Sequence, residues 1–122
     1  MITWGTAKAL ALAVPGAEER DHFGSPSFRV KGKIFAQLSA AHASEARALL
    51  KLAAADQSAL TMLDPATFIP APHWGRHGWT YIRLAAIDEA TFCDLLEKSR
   101  RLIAVKQQVG SPDDAAQGVL DP

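Results

Sequence analysis

Along the first fourteen residues, Ala7, Leu10, Ala11 and Val14 recur at i, i+3, i+4 and i+7, which predicts an amphipathic helix over residues 3–14. Thr3 stands at the capping position, and Pro15-Gly16 ends the run. The polar stretch 18–23 predicts a short edge strand before the break at Gly24-Ser25-Pro26. Residues 27–30 and 33–38 are β-prone and separated only by Lys31-Gly32. A glycine in so short a gap supplies the left-handed backbone of a hairpin turn. Residues 47–53 alternate imperfectly and suit a strand or a helix. The strand is favoured because Asp56 can cap a short helix that starts just after and stops at Asp64-Pro65. Prolines and glycines divide 68–78 into a strand end and a loop. Residues 79–84 alternate again, with Trp79, Tyr81 and Arg83 on one face and Thr80, Ile82 and Leu84 on the other. The strongest helical pattern comes last: Asp88 as cap, Glu89 in the first turn, then Phe92, Leu95, Leu96, Ser99, Leu102 and Ile103 at spacings of three and four.

Strands grouped between helices predict an α+β fold in two layers, an antiparallel sheet of about five strands with the first and last helices on one face. The chain of 122 residues suits one domain, taken as residues 1–106. Residues 107–122 form an acidic tail of low apolar content, expected to be disordered. Of the 48% hydrophobic residues, alanine supplies 23 positions, so the core must be small. Thirteen basic residues balance thirteen acidic ones, which removes the global electrostatic footprint of a dedicated nucleic-acid binder. Within residues 1–106 the count is 13 basic to 10 acidic, a net charge of +3 that allows a local patch. The lone Cys93 forms no internal disulfide, so a cytoplasmic location is expected. The apolar run 9–14 has six residues and no basic cluster before it, short of a secretory signal. No stretch approaches the roughly 20 apolar residues of a membrane span.

Two blocks of punctuation and aromatics then stand out together: 12–19 (LAVPGAEE) leading to 28–36 (FRVKGKIFA), and 70–79 (PAPHWGRHGW) leading to Ser99. In this order and spacing they resemble the MmcQ/YjbR family of small bacterial proteins, over about residues 3–106. The resemblance implies a two-layer α+β fold like that of secretion chaperones. It also implies a likeness to the double-wing DNA-binding domain of a phage transcription activator, from which the family is labelled DNA-binding. No catalytic residues come with it.

The candidate sites follow from residue chemistry. Arg29, Lys31 and Lys33 surround the hairpin turn and could straddle a phosphate backbone as a wing does; cations at a hairpin tip also simply keep a sheet edge from pairing. In the 73–77 loop, Arg76 and His77 are the second group offered to phosphate. His73 and His77 are four apart, but the flanking prolines and glycines prevent the helix that would make them metal ligands, and no metal or cofactor is expected. Trp74, Trp79, Tyr81 and Arg83 are the candidate stacking or partner surface. Glu18, Glu19, Asp21 and His22 resemble an acid/base cluster but fit a solvated edge better, Cys93 fits an inert, partly buried thiol, and His42 fits loop filler. With no phosphate-cradling loop, dinucleotide fingerprint or hydrolase elbow, a non-catalytic role is expected. The leading expectation is weak, salt-sensitive DNA binding of a regulatory kind. The alternative is a module that holds a protein or peptide partner, and neither involves a membrane.

Overall fold

The structure is a computed structural model that describes residues 1–22, 24–39 and 46–109, the last five by backbone alone. Three helices, α1 (Trp4–Leu12), α2 (Ala54–Leu63) and α3 (Glu89–Val109), accompany six strands. These are β1 (Glu18–His22), β2 (Ser25–Val30), β3 (Lys33–Ser39), β4 (Arg47–Lys51), β5 (Phe68–Pro70) and β6 (Trp79–Arg83). They form one antiparallel sheet in the order β1-β2-β3-β4-β6-β5. The α+β architecture expected from the element order is thus present, with six strands rather than about five, because β1 and the three-residue β5 both complete edges. Of the acidic tail expected over 107–122, residues 107–109 continue α3, and the rest, with His42 and Phe23, lies outside the described residues.

The helices pack on one face. Ala7 and Ala11 of α1 and Phe92, Leu95, Leu96 and Ile103 of α3 share a core with Phe28, Phe35, Ala36, Leu38, Ala48, Leu50 and Ile82 from the strands. Small alanines on α1 let that helix approach the sheet closely, so the alanine-rich composition still closes a core. Helix α2 covers the β6–β5 end of the same face: Leu60 packs against the core, and Gln57 Nε2 donates to Thr80 Oγ1 at 3.0 Å. It starts at Ala54, with Ala53 as an unassisted cap, so Asp56 lies in its first turn instead of capping it. The negative charge is still favourable there, beside the positive end of the helix dipole. Thr3 does cap α1, its hydroxyl accepting from the Thr6 N–H at 3.1 Å.

One irregularity sets the sidedness of the sheet. Phe28 pairs with Ala36 while its neighbour Arg29 pairs with Ile34, so Phe35 is an extra residue in β3. A bulge of this kind leaves the inserted residue out of the ladder and bends the strand. Phe35 and Ala36 consequently both enter the core, and Ile34 turns to the opposite, outer face. The Phe35 carbonyl finds its donor in α3, where the wholly buried Ser99 hydroxyl reaches it at 2.8 Å.

Replacing Ser99 by alanine strands that carbonyl in the core and is expected to cost about 1–3 kcal/mol in urea denaturation; an unchanged midpoint would show that the bond carries no stability. A second outcome concerns pH. Asp88 Oδ2 accepts from the Thr91 N–H at 2.9 Å and Oδ1 from the Thr91 hydroxyl at 2.7 Å, and these bonds hold its carboxyl below the ordinary range. The stability it gives is therefore complete above about pH 4, where the unfolded group is also ionised, and is lost as pH falls through the lower folded value. Asp88→Ala should lower the melting temperature at neutral pH, by a margin that narrows as the solution is acidified. A margin constant from pH 7 to pH 2 would contradict the assignment.

Candidate nucleic-acid interface

The register brings the two punctuated segments to one end of the sheet. Val30 pairs with Lys33, Lys51 with Trp79, and Pro70 with Thr80. The β2–β3 turn and the 71–78 loop therefore emerge in the same direction, one between β2 and β3 and the other between β6 and β5. At the usual strand separation these exits are three spacings apart, about 14 Å.

At the first tip, Lys31 (φ 52°) and Gly32 (φ 82°) are both left-handed, as a two-residue type I′ hairpin turn requires. Lys31 is exposed and Lys33 half-buried. Arg29 serves the hairpin itself: its Nη1 donates to the Gly32 carbonyl and its Nε to Ser27 Oγ, each at 3.4 Å. It also stands directly across from Glu18 of β1. Of the three cations predicted to form the wing, Lys31 and Lys33 flank the tip and Arg29 reaches it through the Gly32 carbonyl.

The second tip is a structured turn. Gly75 N–H donates to the Ala71 carbonyl at 2.8 Å and Gly78 N–H to the Gly75 carbonyl at 2.9 Å, closing a short 3₁₀ turn over Gly75–His77. Gln57 of α2 anchors it from the side, donating to the Gly75 carbonyl at 2.8 Å. Gly78 (φ 95°) lies so close to β4 that a β-carbon there would sit 2.1 Å from the Leu52 carbonyl oxygen, and the Leu52 N–H donates to the Gly78 carbonyl at 2.8 Å. Only glycine permits this approach, which fastens the loop beside the end of β4. Arg76 and His77 are exposed on it, and Arg76 forms no ion pair among the described residues. His73 (φ 66°) precedes the turn and His77 ends it, so the two do not share a helical face.

The predicted stacking surface is not open. Trp79 is 3% exposed, packed with Ile34 and Ala71 in a small second cluster on the outer face, which Leu49 and Tyr81 border. Tyr81 is already covered, because the Arg47 guanidinium lies 4.0 Å from its ring centroid. Trp74, at 36% exposure, is the aromatic that faces solvent, and its ring lies 6.4 Å from that of His77. Arg83 is half-buried on the same face as Tyr81.

Sequence reasoning missed Arg47, whose placement on Tyr81 depends on the pairing of β4 with β6. The outer face is richer in cations than the tips alone suggest. Arg20, Arg29, Arg47, Lys51 and Arg83 share it, by register, with Glu18 as the one carboxylate among the described strand residues. Among the described residues the helix layer holds most of the remaining acids, where Asp94 pairs with Lys98 at 3.2 Å and Glu97 with Arg100 and Arg101. Arg100 lowers the Glu97 carboxyl below its ordinary range. Glu19 of the predicted acid/base stretch pairs with Lys8 of α1 at 3.3 Å. Cys93 is exposed rather than partly buried; desolvation and the charge of Glu89 push its thiol up, which keeps it protonated and unreactive near neutrality. Among the described residues no helix is long and apolar enough to cross a membrane, and no group of three or more histidine, cysteine or carboxylate side chains could hold a metal ion.

A comparison with curated proteins finds no match. Among solved structures, the chain is similar to Deinococcus radiodurans protein DR2400, described as a DUF419 domain. The TM-score is 0.74 and the identity 20%, over 93% of this chain and 91% of that one; at that identity the likeness concerns the fold. A model of the YjbR family matches residues 12–102, most of the described chain. By that match this protein belongs to the YjbR family.

Proposed function

We propose that this protein is a non-catalytic DNA-binding protein of regulatory type, acting in a bacterial cytoplasm and gripping the phosphate backbone at one end of its sheet. The observation that carries the reading is the shared direction of the two tips. Lys31 and Lys33 mark one and Arg76 and His77 the other, at a separation of about 14 Å, near the roughly 12 Å width of the major groove of B-DNA. Two tips so spaced suit phosphates on both sides of a groove. Arg29 braces the first tip through the Gly32 carbonyl. Contacts of this kind position a duplex without reading its sequence, and three full charges give weak binding with a log–log salt slope of about −2.7.

A second reading, a protein-interaction module, is favoured by one observation: Met62 and Leu63, at the end of α2, are 83% and 81% exposed. Side chains of this size left in water at a helix end suit an apolar partner surface.

One comparison separates the two. In gel-shift titrations with a short duplex, the Lys31→Ala/Arg76→Ala variant should lose a shift that the unaltered protein shows at low salt and loses as salt rises. Met62→Ser/Leu63→Ser should retain it. Unchanged DNA retention by the first variant, or no shift by the unaltered protein at low salt, would remove the nucleic-acid reading.

A further inference from the structure

Helix α3 runs toward the end of the sheet that bears the two tips. It begins shortly after Leu84, whose N–H donates to the Ala46 carbonyl at the opposite end. Farther along, the Ser99 hydroxyl meets the Phe35 carbonyl, two residues from Lys33 of the first tip. Lys98, Arg101 and Leu102 border one open depression with Ala53 and Asp56. Ala53 directly follows Leu52, whose N–H donates to the Gly78 carbonyl of the second tip. By residue 102 the helix is therefore level with both tips, and it continues to Val109, about 10 Å farther at the usual helical rise. The chain beyond Val109 starts from the end of the sheet that carries Lys31, Lys33, Arg76 and His77.

Residues 110–122 hold Asp113, Asp114 and Asp121 and no lysine, arginine or histidine. Residues 1–109 set thirteen cations against ten carboxylates, so this one segment cancels the whole surplus. Its length suffices to bring it back to the tips. Between Val109 and Asp121 the chain can span up to about 40 Å when extended. The path from Val109 along α3 to Ser99, and from Phe35 along β3 to Lys33, is about 15 Å and then about 7 Å.

We infer that residues 110–122 fold back on the tipped end of the sheet as an intramolecular counter-charge, their aspartates meeting Lys31, Lys33 and Arg76. Exposed ion pairs are individually weak, but a tethered segment acts at an effective concentration near millimolar, so a few such pairs hold it. The aspartates occupy the same N–H donors that a phosphate backbone needs, and a duplex must displace them. The contact depends only on the geometry and the charges; its role as a built-in competitor of DNA rests on the function proposed above.

Two measurements on the full chain test this. Zero-length carbodiimide coupling, which joins a carboxylate to an amine already in contact with it, is read by peptide mass spectrometry on the single-chain fraction without DNA. Asp113, Asp114 or Asp121 should couple to Lys31 or Lys33 at low salt and cease to do so at high salt. Lys8 and Glu19, 3.3 Å apart, serve as the internal reference. In gel-shift titrations at low salt, Asp113→Asn/Asp114→Asn/Asp121→Asn should bind a short duplex about three- to tenfold more tightly than the unaltered protein. Its salt slope should also be steeper, since binding no longer exchanges one set of ion pairs for another. Asp64→Asn/Glu89→Gln, which removes charge at the opposite end of the sheet, should leave the affinity unchanged. Coupling of Lys8 to Glu19 with none from the three aspartates to either lysine, or such links only between chains, would overturn the inference. So would equal DNA affinity of the triple variant and the unaltered protein, or equal tightening by Asp64→Asn/Glu89→Gln. Intramolecular links in a chain that shifts no duplex in either form would support the contact and remove only the DNA reading.

Discussion

The inserted Phe35 determines which side of the sheet does what. Without it, strict alternation along β3 would keep Ile34 on the helix side with Ala36 and Leu38, and the outer face would lose the residue that Trp79 and Ala71 pack against. With it, two adjacent side chains enter the core, and one apolar residue on the far side seats the 71–78 loop. The bulge is held open by the Ser99 hydroxyl, so a single polar contact from α3 couples the helix layer to a feature that acts on the opposite face. The close approach of Gly78 to Leu52 then fixes the loop beside β4, in line with the β2–β3 hairpin.

Charge is sorted by the same two-sidedness. A chain with thirteen cations and thirteen carboxylates need not be neutral everywhere. On the helix layer Lys8, Lys98, Arg100 and Arg101 are engaged with Glu19, Asp94 and Glu97. On the outer face arginines are spaced along the strands with few acids to meet them. Exposed ion pairs contribute little stability, so the helix-side pairing matters chiefly for where it leaves the remaining cations.

Local chemistry was legible in the chain; long-range registration was not. Lys31-Gly32 announces its hairpin because a two-residue turn needs left-handed backbone. Asp88 announces α3 because its carboxylate is needed at the Thr91 N–H. The start of α2 at Ala54 escaped notice because Ala53 carries no capping side chain and Asp56 was the nearest residue able to cap. The bulge escaped because 33–38 is uniformly β-prone and nothing in it marks an insertion. Burial of Trp79 and the meeting of Arg47 with Arg83 and Tyr81 depend on β4 pairing with β6 across α2 and β5, a contact that no local pattern encodes. For the candidate interface, the residue types were visible in sequence, whereas the common direction of the tips emerged only from the ladder.

An overall neutral chain thus presents a cation-rich surface at the tipped end and along the outer face of the sheet, on the side away from the helices. The most direct test is amide chemical-shift mapping of the labelled protein against a short DNA duplex at low salt. Perturbations should concentrate at residues 31–33 and 75–78 and fade as salt is raised, with α1 and α3 silent. Perturbations centred on the helix layer, or none at any salt concentration, would contradict this placement of charge.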